Sequence, residues 1–303
     1  DRGRFISEFG MHAAPVMETL RRSIPEDQLY HHSPAMDHHN KDDPKDKGDH
    51  LMLTVTGLPK DLVEYVDFSM ISQAEGLKFA LEHFRRRKPH CSGCLFWQLN
   101  DCWPVLSWSV LDYHGFGKAG YYYARRAYSP ILASFKILPD GGAELWITND
   151  TLSAVTDTLV VRLGTFAGET LWEESLRVRV AANGNAPVGR WDADLVSGAP
   201  DRYLSVRSAR GSFPPNRHFF AAIKDLGREP AEPEIDFDPA GDHELRVRLR
   251  ARGYAYFVHL EVPDEVTRFS DNFFDLEPGE ERAIVVANAR RHLTPGMVKV
   301  GWR

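Results

Sequence analysis

Cysteine is scarce in this chain: three among 303 residues, Cys91, Cys94 and Cys102, all in one short segment. Cys91 and Cys94 form a single C-x-x-C with no second pair, which argues against a zinc ribbon and leaves buried free thiols as the plainer expectation. Long apolar runs are missing too; none approaches the ~18 residues needed to cross a bilayer. Positive charge does not dominate. The net charge of −6 sets aside a broad surface for nucleic acid or acidic membrane. One dense basic run, Arg85-Arg86-Arg87-Lys88, closes an expected helix, where cations complement the dipole, and reads as a solvated helix end. The sequence holds no G-x-G-x-x-G, Walker or G-x-S-x-G pattern. Gly115-Phe116-Gly117 reads as a turn ahead of a helix rather than a phosphate cradle. A starting methionine is also lacking: the sequence opens Asp1-Arg2-Gly3, which reads as a fragment or a processed product and leaves the question of export open.

What is present is an ordinary globular mix, 43% hydrophobic and 26% charged, long enough for two or three domains. Its character changes near residue 130. Before that point the pattern predicts two strand-then-helix units. Residues 4–7 form a short strand that feeds Glu8-Phe9-Gly10, and a helix follows over about 15–22. A second helix is expected over 67–87, because Met70, Ala74, Leu77, Leu81 and Phe84 recur at spacings of four and three. Residues 93–97 then read as a near-continuous apolar strand of the kind buried in a parallel sheet. A last helix fits 118–128, ended by Pro130.

After Pro130 the period becomes two. Leu245, Val247 and Leu249 alternate with Arg246, Arg248 and Arg250, as Val178 and Val180 do with Arg177 and Arg179. Strands are expected at 131–137, 144–148, 158–163, 203–206, 219–223, 254–260 and 282–286. Turn sequences such as Pro139-Asp140-Gly141-Gly142 and Glu277-Pro278-Gly279 separate them, which favours antiparallel sandwiches. The stretch 227–233, rich in Pro and Glu, reads as a linker between two of them. Trp146, Trp172, Trp191, Tyr254 and Tyr256 are expected in their cores.

Two clusters carry possible chemistry. Glu8 stands where a parallel strand ends, followed by an aromatic residue and a turn former; at the C-terminal face of a barrel that position aims a carboxylate into the active site. The run Trp97-Gln98-Leu99-Asn100-Asp101-Cys102-Trp103-Pro104 also lies just past a buried strand. It combines indole faces, suited to the C–H face of a sugar, with amide and carboxylate groups suited to hydroxyls. On spacing alone a surface glutamate and a packed aromatic cluster are the plainer readings. A third segment, residues 30–50, holds five histidines and several aspartates. Adjacent histidines on a loop have no fixed ligand geometry, so it reads as a solvated or substrate-facing loop, with a metal site the least favoured reading.

The motifs settle the choice by resemblance. Phe5-Ile6-Ser7-Glu8-Phe9-Gly10 resembles the nucleophile strand of glycoside hydrolase family 2. Residues 97–104, continuing through Ser107-Trp108-Ser109, Asp112-Tyr113-His114-Gly115 and Lys118-Ala119, resemble the last barrel strand of the β-mannosidases in that family. The helix with Ser72-Gln73-Ala74-Glu75-Gly76-Leu77-Lys78 and the segment Ser270-Asp271-Asn272-Phe273-Phe274-Asp275-Leu276 are similar to further parts of the same enzymes. The resemblance implies the C-terminal part of a (β/α)8 barrel at 1–130, followed by two immunoglobulin-like β-sandwiches at 131–226 and 227–303. It implies a retaining exo-glycosidase that removes terminal non-reducing β-D-mannose, with β-mannoside oligosaccharides or glycoconjugates as partners and no nucleic acid, membrane, cofactor or metal. Glu8 matches the nucleophile and Trp97 an aromatic wall; Asn100, Asp101 and Trp103 match positions that shape or brace the pocket. The family's acid/base follows an asparagine well upstream of the nucleophile, and seven residues precede Glu8 here, so the chain alone is expected to be inactive. Since two βα units cannot close a barrel, six more are expected to precede them. An exo-β-D-glucosaminidase and a noncatalytic carbohydrate-binding module are the rival readings.

Overall fold

The computed structural model describes residues 2–196 and 198–303. Its first part is helical: α1 (Met17–Ser23), α2 (Pro34–His38), α3 (Lys47–Val55), α4 (Leu62–Arg86) and α5 (Ala119–Ala127). The long helix α4 begins at Asp61, whose carboxylate accepts from the Glu64 amide at 2.8 Å, satisfying one of the free donors of the first turn. Its expected stripe is the buried one, with Met70, Ala74, Leu77 and Leu81 each at most 2% exposed. The basic run does end the helix, but it is not solvated. Arg85 is buried, donates to Ala127 O and to Ser129 O (2.7 Å), and pairs with Asp150 at 2.8 Å; Lys88 reaches the same carboxylate at 2.6 Å. The cations thus fasten the end of α4 to the loop after a strand of the next part.

The two parallel strands expected in this part shrink to one bridge, between Ile6 and Cys94. Ile6 N donates to Gly93 O and Leu95 N to Ile6 O, both at 2.9 Å. The expected long loop at 30–50 is also more ordered than a solvated loop, since α2 and part of α3 lie in it. Of the three thiols, Cys91 and Cys94 are buried, and Cys102 is exposed, contrary to expectation.

The remainder is antiparallel. Strands β1 (Ile131–Ile137), β2 (Ala143–Asn149) and β5 (Asn185–Trp191) form one sheet; β3 (Val155–Thr165), β4 (Thr170–Val180), β6 (Arg202–Ser208) and β7 (Asn216–Phe219) form another, in the order β4-β3-β6-β7. Phe135, Leu145 and Ile147 from the first sheet meet Leu159, Val161, Val178 and Leu204 from the second in one core, as alternating strands packed face to face require. A second pair of sheets follows. It consists of β11 (Arg268–Phe269), β13 (Glu281–Ala287), β9 (Glu244–Arg250) and β8 (Glu234–Gly241), against β12 (Phe274–Leu276), β10 (Ala255–Glu261) and β14 (Lys299–Gly301). On β9 the burial alternates without exception, leucines and valine inward and arginines outward. The strand expected at 219–223 instead ends at Phe219, where pairing to β6 stops, and Ile223–Asp225 is a 3-10 turn. Trp191, Tyr254 and Tyr256 are buried, while Trp146 and Trp172 are half-buried. No helix among the described residues is long and apolar enough to cross a membrane.

A further core joins all three parts. Leu20, Met36, Met52, Ile71 and Tyr123 of the helical part pack with Phe166, Tyr203 and Phe219 of the first sandwich and Tyr254, Tyr256 and Phe273 of the second. At its edge sits Arg217 on β7. It donates to Glu75 of α4 (Nη1 to Oε2, 2.9 Å, and Nη2 to Oε1) and through Nε to Asp275 of β12 at 2.9 Å. Tyr256 OH donates to Glu75 at 3.0 Å and Tyr254 OH to Asp275 at 3.1 Å. Burial works against the Arg217 charge, but the two carboxylates outweigh it and hold the guanidinium above its ordinary range.

Candidate active site

Glu8 and the tryptophan-rich segment lie side by side, each just beyond its half of the Ile6–Cys94 parallel bridge. Past that bridge the Trp97 amide donates to Phe9 O at 2.6 Å, so the residue after Glu8 is bonded directly to the start of the cluster. Gly10 explains the close approach. A Cβ at that position would stand 2.0 Å from Trp97 O and 3.3 Å from Trp108 Cβ, and no real side chain tolerates the first contact. The glycine is therefore a requirement of backbone packing and not of turn conformation. The Phe9 ring makes an edge-on contact with Phe84, centroids 5.4 Å apart, whereas Glu8 itself is exposed. Trp97, half exposed at 52%, precedes a cis peptide to Gln98 and presents its ring to solvent beside the carboxylate's segment.

The two remaining polar positions of the cluster have different surroundings. Asn100 is exposed. Asp101 has a side chain only 1% exposed, and all its bonds are internal: Gln98 Nε2 at 2.8 Å and Lys41 Nζ at 2.9 Å on Oδ1, and Ser107 Oγ at 2.7 Å on Oδ2. Its carboxylate holds Gln98, and with it the Trp97–Gln98 peptide, against the loop below, so Asp101 braces the site and does not face it. Trp103 is half-buried against His39, ring centroids 4.7 Å apart, and His38, 5.8 Å apart. Its role here is packing of one loop on another.

Those contacts introduce Lys41, which the sequence did not single out, and give His39 a packing partner. Leu106 N donates to His39 O at 2.8 Å and Lys41 N to Leu106 O at 3.1 Å, so the histidine-rich segment pairs with the backbone that follows the tryptophan cluster. Lys41 and His39 thereby support the segment that carries Trp97. The signal was present as a cluster of imidazoles and charges, but the partner lies about sixty residues away in sequence. Below that segment two basic groups are sealed in. Lys118 has no exposed surface, donates to Ala13 O at 3.0 Å and Ser107 O at 3.4 Å, and is pushed by burial down to about 7. His12, against Asn40 Oδ1 at 3.1 Å, is lowered to about 3, first by burial and then by Lys118. The turn into α5 is as expected: Asp112 Oδ1 accepts from the His114 and Phe116 amides at 3.1 and 3.0 Å, and Gly115 has a φ of +89°.

Comparison with known proteins places the chain as a whole. Residues 141–225 match the family of the mannosidase Ig/CBM-like domain, and residues 231–299 match an Ig-fold domain family of mannosidases. β-Mannosidase B of Emericella nidulans is 28% identical over 97% of this chain and 37% of its own length. The crystal structure of the β-D-mannosidase of Dictyoglomus thermophilum covers all of this chain with 38% of its own, at a TM-score of 0.89 and 27% identity. The exo-chitosanase of Amycolatopsis orientalis shares the fold over 98% of this chain and 41% of its own, at a TM-score of 0.74 and 18% identity. The chain thus spans little more than a third of the length of the proteins it matches. Over nearly its whole length it is a relative of the β-mannosidases, with their immunoglobulin-like domains at 141–225 and 231–299.

Proposed function

We propose that this chain carries the nucleophile side of the active site of a family 2 retaining exo-β-D-mannosidase. Residues 1–130 form the C-terminal end of its (β/α)8 barrel, and residues 131–226 and 227–303 its two sandwiches. The observation that carries the reading is the placement of an exposed carboxylate, Glu8, and an exposed indole, Trp97, just past adjacent parallel segments locked by the Phe9–Trp97 hydrogen bond. A sugar lying on the indole face brings its anomeric carbon towards the carboxylate. In the first step Glu8 attacks that carbon as the ionised group, the glycosidic C–O bond breaks, and the leaving oxygen takes a proton from a second carboxylic acid, about 5–5.5 Å away in retaining enzymes. In the second step that group removes a proton from water, which attacks the glycosyl ester and releases Glu8. Asp101 is a positioning residue: it holds the Trp97 segment and touches no substrate.

The second carboxyl group belongs, on this reading, to the part by which the relatives exceed this chain, so the 303 residues alone do not turn over. The test uses a protein of the relatives' full length containing this chain, with 4-nitrophenyl β-D-mannoside and the β-D-glucosaminide as substrates. Mannoside cleavage is expected, with Glu8→Gln reducing kcat by roughly 10⁴-fold or more, and mass spectrometry of a fluorosugar-trapped intermediate places the sugar on Glu8. Glucosaminide cleavage alone moves the specificity and keeps the mechanism. Full activity in Glu8→Gln, or robust turnover by the 303-residue chain, refutes the assignment.

A further inference from the structure

The histidine-rich segment holds a feature that the glycosidase reading does not use. His31, His32 and Asp49 each place a donor atom within 4.8 Å of the others. Asp49 lies between the two imidazoles: its Oδ1 is 3.1 Å from His31 Nε2 and its Oδ2 is 2.8 Å from His32 Nε2. The expectation that adjacent histidines lack a fixed geometry fails here because each ring is held from behind. His31 is stacked on Tyr65 of α4 with centroids 4.0 Å apart, and His32 is stacked on His31 at the same separation. The far nitrogen of His32, Nδ1, is 2.9 Å from Asp37 Oδ1. His32 reaches this position with a backbone φ of +59°, a left-handed conformation that an L side chain adopts at a cost.

We infer that His31, His32 and Asp49 form a binding site for a divalent transition-metal ion of the zinc type. Three observations carry the inference. The donor set is two imidazole nitrogens and one carboxylate, which leaves an open fourth position for water. His32 has its second nitrogen on a carboxylate, the arrangement that orients and strengthens metal-bound histidines. His31 Nε2 is also sealed from solvent yet outside hydrogen-bond alignment with Asp49, 3.1 Å away. Tetrahedral zinc with bonds near 2.0–2.1 Å separates its ligands by roughly 3.3 Å, so small side-chain movements close the site. Solvent reaches it from the His32 side, which is 36% exposed. The ion would tie the loop before α2 to α3 and, through Tyr65, to α4. The same segment presents His38 and His39 to Trp103 and Lys41 to Asp101.

The test is titration of the metal-free 303-residue chain with Zn²⁺ by calorimetry, and with Co²⁺ by visible absorption. About one equivalent is expected to bind, raising the Tm, with the intense d–d bands of four-coordinate cobalt. His31→Ala/His32→Ala and Asp49→Asn should each lose binding at least tenfold. Asp37→Asn, which keeps all three ligands and so guards against mere misfolding, should weaken it by about 10–100-fold. His50→Gln, a change to an exposed histidine outside the cluster, and Cys91→Ser/Cys94→Ser should leave it unchanged. Absence of Zn²⁺ uptake, or uptake retained in the double histidine variant, overturns the inference.

Discussion

The surroundings of Glu8 and of Arg217 both collect charged and aromatic side chains, and they are built on opposite plans. Around Glu8 the carboxylate and the Trp97 ring are left exposed, and the precision comes from backbone: the Phe9–Trp97 hydrogen bond and the glycine that lets Gly10 press on Trp97 O. Around Arg217 the backbones belong to three separate parts, and the precision comes from side chains buried together, an arginine between Glu75 and Asp275 roofed by Tyr254 and Tyr256. On the proposed function, a site that must admit a ligand keeps its groups wet and fixes them through their main chain. A junction that must never open pairs its charges internally.

The contrast sets an order of sensitivities. Arg217→Ala leaves two mostly buried carboxylates facing each other and should cost about 3–5 kcal/mol, read by chemical denaturation. A loss under 1 kcal/mol would place the junction with ordinary surface pairs. Gly10→Ala should cost roughly 1–3 kcal/mol through backbone displacement, and it should also impair any activity the site has, whereas Arg217→Ala should act on stability first. A third probe is acid. The His12 pKa in the folded chain, about 3, is below its ordinary value, so the unfolded state binds the proton first as pH falls. Stability contributed by neutral His12 is complete above pH ~6.5 and declines by about 1.4 kcal/mol per pH unit below it, down to the folded value. His12→Gln should flatten that slope. Least sensitive should be Arg248→Ala, whose partner Asp238 lies 3.2 Å away on a solvated face with both side chains over 40% exposed; the change should stay within about 1 kcal/mol.

The readability of the sequence follows the same divide. Helix α4 and strand β9 were legible because their apolar spacing is local and repeats several times. The parallel pair at Ile6 and Cys94 was over-read as two strands, since an apolar run does not reveal how many neighbours it has. Motif resemblance singled out Glu8, Trp97 and Asp101; the structure brings the first two together on exposed segments and buries the third behind them. The contacts of His39 and Lys41 with the tryptophan-rich segment, the buried Arg85 and the clamp around Asp49 were not legible. Each depends on contacts between residues far apart in sequence or on burial that charge alone argues against. Arg217 stands in the segment Asn-Arg-His-Phe, where nothing local marks it as the meeting point of three parts.

The shared core also has a consequence for the order in which the chain acquires its structure. The bonds from α4 to its later partners span 142 residues to Arg217 and 181 to Tyr256, and Asp67 pairs with Arg303 across 236. Each sandwich closes mainly on hairpins and near neighbours, which form quickly, while contacts of such separation come late. During synthesis these helices therefore emerge before the sandwiches and are completed after them. Their apolar faces must stay unaggregated until the second sandwich has left the ribosome, which makes this segment the place where chaperones would have the most to do.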